Sequence, residues 1–231
     1  MFVPSALAVS CDRPCPPAQA AGSMRLRVAG RKPRTALLAL LFLLLGLSGC
    51  QHVIEPPATV SDPVRVFVID YGPHASLALP NEDSGLVEWS WGDWNWFALE
   101  QTGPLEGLQA LFASRRSALA RRELAAAQNA QELAARVGAE EVLPIVVERD
   151  RIGVLQRDLE ARWLRRREEA VRHPNGRVFV PDDADYSLFN NSVNQLARWI
   201  EALGAEVSGT GVTANFKLRE LRFKPHDRGG S

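Results

Sequence analysis

The sequence predicts an α+β fold, an antiparallel sheet packed by helices. Three β-rich runs follow one another between residues 64 and 91, each closed by a turn signal. Later segments place apolar residues at helical spacing. Strand-like runs recur among those helices, so both element types belong to one domain.

Val64-Arg65-Val66-Phe67-Val68-Ile69-Asp70 opens the series. Its β-branched and aromatic residues suit a strand, and Tyr71-Gly72-Pro73 turns the chain. Residues 75–79 read as a second strand, followed by the turn Pro80-Asn81-Glu82-Asp83. Residues 86–91 read as a third, closed by Gly92-Asp93. Short turns between consecutive strands imply an antiparallel meander. Residues 105–112 are expected to be helical, as are residues 124–137, which are rich in Ala, Glu and Gln. Val142-Leu143-Pro144-Ile145-Val146-Val147 reads as a strand. Pro144 has no N–H for a ladder, which places that strand near an edge.

Residues 151–171 carry Ile152, Leu155, Leu159, Trp163 and Leu164 close to helical spacing, and Pro174-Asn175-Gly176 ends that helix. Its Arg165-Arg166-Arg167 run reads first as a solvated face, with affinity for anionic lipid head groups as the alternative. Residues 177–180 suit a short strand. Residues 191–203 form an amphipathic helix with Leu196, Trp199, Ile200 and Leu203 inward, closed by Gly204. Residues 216–219 suit a last strand, and 221–231 read as a disordered polar tail.

Lys plus Arg balance Asp plus Glu at 27 each. That balance gives no basic excess of the kind nucleic-acid binders carry. There is no P-loop, no Rossmann glycine fingerprint and no His-Glu-x-x-His helix. His52, His74, His173 and His226 are too scattered to predict a metal site, and no cofactor is expected.

The region before residue 50 has a different character. Arg25, Arg27, Arg31, Lys32 and Arg34 precede an uncharged apolar run over residues 36–47, and then comes Leu47-Ser48-Gly49-Cys50. A basic stretch, a short apolar stretch and small residues before a cut site are the layout of an export signal. The apolar run is ~12 residues long, too short for a hydrocarbon core that needs about 20. Leu-Ser-Gly-Cys resembles the lipobox of bacterial lipoproteins. The resemblance implies cleavage before Cys50, a diacylglycerol on its sulfur and a further acyl chain on its freed amine. Each buried CH2 adds about 0.8 kcal/mol of membrane affinity, so several chains hold far better than one. Gln51 stands where an Asp would resemble an inner-membrane retention signal, which favours the periplasmic face of the outer membrane.

The expected organisation is therefore a signal region over 1–49, a lipidated extended tether over 50–63 and a single domain over 64–220. Met24 is the better start for the signal, with residues 1–23 outside it. Of Cys11, Cys15 and Cys50, only the last survives such processing, and its sulfur is then occupied. No cysteine-based catalysis is left to the mature chain.

Three stretches resemble a known superfamily. Asp70-Tyr71-Gly72-Pro73-His74-Ala75-Ser76-Leu77-Ala78-Leu79-Pro80 is similar to the segment carrying the catalytic His in permuted papain-like hydrolases of the NlpC/P60 superfamily. Val87-Glu88-Trp89-Ser90-Trp91-Gly92-Asp93-Trp94 resembles the next strand and its Trp-Gly-Asp turn. Residues 186–204, with Asn190-Asn191-Ser192-Val193-Asn194, resemble the helix whose N-terminus carries the nucleophile. The resemblance touches about a third of the mature chain and implies a permuted papain-like fold.

The resemblance makes His74 the base, Glu88 the group that orients it, with Asp93 second, and Ser192 the occupant of the family's cysteine position. Asn191 is a secondary polar candidate beside it. Such a site needs a thiol at the positive end of a helix, where the thiolate is favoured. Ser192 departs from this, because a hydroxyl lacks the thiol's pKa of ~8.5 and must be activated during attack. Val193 in place of an Asn is a further departure.

Three readings stay open. One is an inactive descendant that binds a peptide, peptidoglycan or acyl ligand. Another is a working Ser192-His74-Glu88 amidase, peptidase or acyltransferase. The third is a structural envelope lipoprotein. Simpler roles also stand: His74 as a surface or capping residue, Glu88 as solvated, Ser192 as a helix cap. Trp89, Trp91 and Trp94 are either core or the lining of a ligand groove.

The anchor is directly testable. Intact mass of the membrane-extracted protein is expected to show a chain that begins at an acylated Cys50, and Cys50→Ala is expected to leave the membrane fraction. A chain retaining residues ahead of Cys50 contradicts the reading.

Overall fold

In the computed structural model, the described residues are 51–103, 116–209 and 213–219, all within one unit spanning Leu47–Ser231. The expected signal region, Cys50, the expected helix over 105–112 and the polar tail lie outside them. Ten strands are described: β1 (His52–Glu55), β2 (Pro63–Asp70), β3 (Ala75–Pro80), β4 (Leu86–Asp93), β5 (Ser117–Leu124), β6 (Glu141–Glu148), β7 (Val171–Arg172), β8 (Val178–Asp182), β9 (Glu206–Ser208) and β10 (Phe216–Leu218). The described helices are α1 (Ala130–Val137), α2 (Arg149–Arg165) and α3 (Ser192–Ala202). A π-helical turn at Trp94–Ala98 follows β4.

Seven strands form one sheet in the order β6-β2-β3-β4-β5-β8-β7, and every pairing is antiparallel. The α+β expectation and the opening meander hold. Pro144 lies on β6, an edge strand, where its missing N–H costs no ladder bond. A smaller sheet, β10-β1-β9, pairs β1 parallel to β10 and antiparallel to β9.

The large sheet is covered on both faces. On the first face, Val66, Val68, Leu77, Trp89, Trp91 and Leu119 meet Ile152, Leu155 and Leu159 of α2 and Leu196, Trp199 and Ile200 of α3. On the second face, Phe67, Ile69, Ala78 and Leu86 pack against Leu133 of α1. Further along that face, Ala118, Ala120 and Phe179 lie under Trp94 and Ala98 of the π-helical turn. All eight residues of β4 are buried, so the central strand has no solvated side.

Helix ends follow their local chemistry. The Asn129 side chain accepts the Glu132 N–H to start α1, and Gly138 at φ 71 closes it in the left-handed region. Asp150 stands in the first turn of α2, and Arg162 and Arg165 in its last, complementing the helix dipole.

Three boundaries differ from expectation. Residues 124–129 are not helical, because Leu124 ends β5, a strand with no counterpart in the sequence reading. β5 hydrogen-bonds to β4 and β8, and ladders on both sides outweigh a weak local preference. The helix expected over 151–171 stops at Arg165, and Val171–Arg172 instead pairs with β8. The expected tether is partly built into the domain. His52 and Ile54 of β1 are buried, and β1 sits between two partners.

Leu159 is fully buried on α2, whereas Val154 on the same helix is 61% exposed. Leu159→Ala is expected to cost about 2–5 kcal/mol of unfolding free energy, and Val154→Ala less than about 0.5 kcal/mol. Urea midpoints of the two variants check this.

Candidate functional site

The register of β3, β4 and β5 builds a buried polar cluster on the second face. Arg122 lies directly across from Glu88. Ser76 reaches Glu88 from β3, Tyr71 from the β2–β3 turn, and Arg177 from the turn before β8. Glu88 is 1% exposed. Its Oε1 accepts from Ser76 Oγ at 2.6 Å, Tyr71 Oη at 2.8 Å and Arg177 Nη2 at 2.9 Å, and its Oε2 accepts from Arg122 Nε at 2.6 Å. Arg122 Nη2 also donates to Tyr71 Oη at 2.8 Å. Burial alone would raise the Glu88 pKa. The guanidiniums of Arg177 and Arg122, with the Ser76 hydroxyl, outweigh burial and hold it below the ordinary value. Tyr71 is pushed up, first by burial and then by the Glu88 charge.

His74 stands at the edge of this cluster. Its ring centroid is 4.7 Å from that of Phe97, and its buried Nδ1 has no hydrogen-bond partner among the described residues. Burial, helped by the positive charge of Arg177 and opposed by Glu88, lowers its pKa to about 4. The imidazole is therefore neutral at pH 7 and a weak base.

A cavity of about 340 Å3 opens beside these groups. Rings of Tyr71, Trp96, Phe97 and Phe179 form much of its wall, and His74, Ser90 and Arg177 also line it. At its rim, His173 places Nε2 3.0 Å from the Ala98 carbonyl oxygen and Nδ1 3.3 Å from a carboxylate oxygen of Glu100.

The Trp-Gly-Asp turn acquires a structural reason. A Cβ on Gly92 would lie 2.2 Å from Phe97 Cδ2, so only glycine lets the Phe97 ring cover β4 there. Asp93 Oδ1 accepts the Trp96 N–H at 2.8 Å and caps the π-helical turn. Its Oδ2 is buried without a partner among the described residues.

The site residues named from sequence divide between the two faces. His74 and Glu88 share the second face. Even there, Glu88 does not orient His74, because its hydrogen bonds go to Tyr71, Ser76, Arg122 and Arg177. Ser192 belongs to α3, which packs on the first face. Its neighbour is Tyr186, whose ring lies tilted with its centroid 5.4 Å from that of Trp91. Burial raises the Tyr186 pKa, and hydrogen bonds from the Ser192 hydroxyl and N–H moderate the rise. The cap of α3 is Asn191, whose Oδ1 accepts the Asn194 N–H at 3.0 Å, so Ser192 is the first helical residue rather than the cap. The groove expectation is corrected as well. Trp89, Trp91 and Trp94 are 0%, 2% and 5% exposed and are core residues. Only Trp96, on the π-helical turn, reaches the cavity.

Arg122, Arg177, Ser76 and Ser90 carried no signal in the sequence, since their role depends on strand register. In the sequence His173 is one of four scattered histidines. Two other depressions, one beside Glu140 and Glu141 and one at the start of α2, hold none of the candidate site residues His74, Glu88, Asp93, Asn191 and Ser192. Among the described residues no three His, Cys, Asp or Glu side chains are grouped to hold a metal. Comparison with protein-family models, curated proteins and solved structures finds no match for this chain.

The His74 shift predicts a pH effect. The folded chain keeps His74 neutral down to about pH 4, while the unfolded chain protonates it near 6.5. Its contribution is therefore whole above pH 6.5 and is lost as pH falls towards 4. His74→Phe keeps a ring and removes the titration. The variant is expected to lose roughly 1–3 kcal/mol less than the wild type between pH 7 and 4. Denaturant midpoints measured across that range that run parallel for the two proteins would contradict the assignment.

Proposed function

We propose that this chain is a lipid-anchored envelope protein that binds a peptide, peptidoglycan or acyl ligand in the cavity beside His74 and does not cut it. One observation carries the non-catalytic part. His74 and the helix bearing Ser192 lie on opposite faces of one sheet, and Ser192 meets a phenol of raised pKa instead of an imidazole. A hydroxyl nucleophile needs a base within hydrogen-bonding reach. The aromatic wall and convergent polar groups support ligand binding, since small-molecule sites combine apolar walls with a few placed donors.

Descent from permuted NlpC/P60-like proteins is part of the proposal. It is supported by the α+β layout and by the order of motifs, His first and Ser-bearing helix late. The paired geometry that makes that superfamily catalytic is not among its supports. The anchor and the outer-membrane location rest on residues 24–51.

Two readouts test the function on the full lipidated chain in detergent. A fluorophosphonate is expected not to label it, and a fragment library is expected to move the His74 and His173 ring signals in NMR spectra. Labelling that disappears in Ser192→Ala would restore the hydrolase reading. A library that moves neither ring would leave a structural lipoprotein.

A further inference from the structure

We propose that the cavity beside His74 selects a small monocarboxylate with a ring-sized apolar body, and that the guanidinium of Arg177 holds its carboxylate. The inference rests on the binding reading above and names the ligand class of that same site.

Charge makes the first argument. Arg122 and Arg177 face a single buried carboxylate, Glu88, so the cluster behind the cavity carries one surplus positive charge. The only hydrogen bond described for the Arg177 guanidinium uses Nη2. Its Nε and Nη1 remain as donors, on a side chain that is 17% exposed and lines the cavity. The guanidinium carbon also lies 4.8 Å from the centroid of the Tyr71 ring, which fixes its plane. A planar, positioned guanidinium suits a carboxylate better than a point charge would.

The remaining polar groups agree. The neutral imidazole of His74 carries one N–H, and its buried Nδ1 lacks a partner among the described residues. Ser90 adds a hydroxyl to the same wall. Arg177 can only donate, and the other two can donate as well as accept, so an acceptor-only head group satisfies all three. The rest of the wall is aromatic, and flat apolar bodies stack on such rings.

Two other ligands are less well served. An ammonium would find rings and Glu100, but Glu100 is 74% exposed and already beside His173, while Arg177 would repel the cation. A phosphate dianion would bring more negative charge than the single surplus can balance, close to Glu88.

Calorimetry, with tryptophan fluorescence read against a Trp96→Phe variant as a second readout, tests this using benzoate, benzamide, benzylamine and inorganic phosphate on the lipidated chain. Benzoate is expected to bind about tenfold more tightly than benzamide, the size of a hydrogen bond to a charged group. Arg177→Gln should erase that preference, so that the variant binds benzoate no more tightly than it binds benzamide. Because Arg177 also pairs with Glu88, Glu100→Gln provides a second variant at the exposed rim. It is expected to tighten benzoate about two- to threefold by removing a like charge. Equal affinity for benzoate and benzamide would overturn the carboxylate claim and leave the binding reading standing. Preference for benzylamine, or for phosphate alone, would overturn it in the same way. No binding by any of the four, with the His rings still moved by other fragments, would overturn the ligand class only. Unmoved rings would remove both.

Discussion

A carboxylate taken out of water must be met by cations and donors, and Glu88 is the place where this chain meets that requirement. It sits in the middle of β4, the central strand of a sheet covered on both faces. An isolated charge there would be too costly to bury, so Glu88 would instead take up a proton. Four side chains from β3, β5, the β2–β3 turn and the turn before β8 answer it. Each must arrive with its strand in register. The pairing of β4 with β5 that sets Arg122 opposite Glu88 also sets Trp91 opposite Leu119 and Asp93 opposite Ser117. A slip of one residue would turn Glu88 toward α2 and α3 and move Trp89 and Trp91 off the face that seats those helices. The buried ion cluster therefore gives the sheet a reason to adopt one register, beyond any net stability it adds.

The same strand separates two kinds of surface. Its odd-numbered residues, Val87, Trp89 and Trp91, build an apolar seat for α2 and α3. Its even-numbered residues, Glu88, Ser90 and Gly92, face the second side, where polar groups and the covering Phe97 ring enclose the cavity. At this strand, two helices on one face and a ring-walled pocket on the other follow from a period of two in eight residues. The division also accounts for the fate of the resemblance-based site. A helix N-terminus can serve a histidine only across the face they share, and here the sheet lies between α3 and the His74 ring.

Much of the fold was legible. Consecutive β-rich runs with turn residues between them specified the meander, and Pro144 correctly marked an edge. The apolar spacing in residues 191–203 gave α3 nearly to its ends. The candidate site was half legible: His74 and Glu88 lie close together, although not as base and orienting group. Arg122 and Arg177 were invisible because an arginine on a strand looks solvated until its cross-strand partner is known. β5 was missed for a related reason. Ser117-Ala118-Leu119-Ala120-Arg121-Arg122-Glu123-Leu124 has no strong strand character of its own, and it becomes a strand between β4 and β8.

The sequence by itself determined the local chemistry: alternation along strands, turns at Gly and Pro, the apolar spacing of the last helix, and the lipobox-like approach to Cys50 on which the proposed anchor rests. These depend on residues a few positions apart, so neighbours along the chain suffice to fix them. Tertiary structure alone decided that the tryptophans are core, that Glu88 answers two arginines, and that Ser192 and His74 work on different sides. Those outcomes depend on which strands pair and in what register. Pairing is settled by burial over the whole sheet, and no single stretch of the sequence contains it.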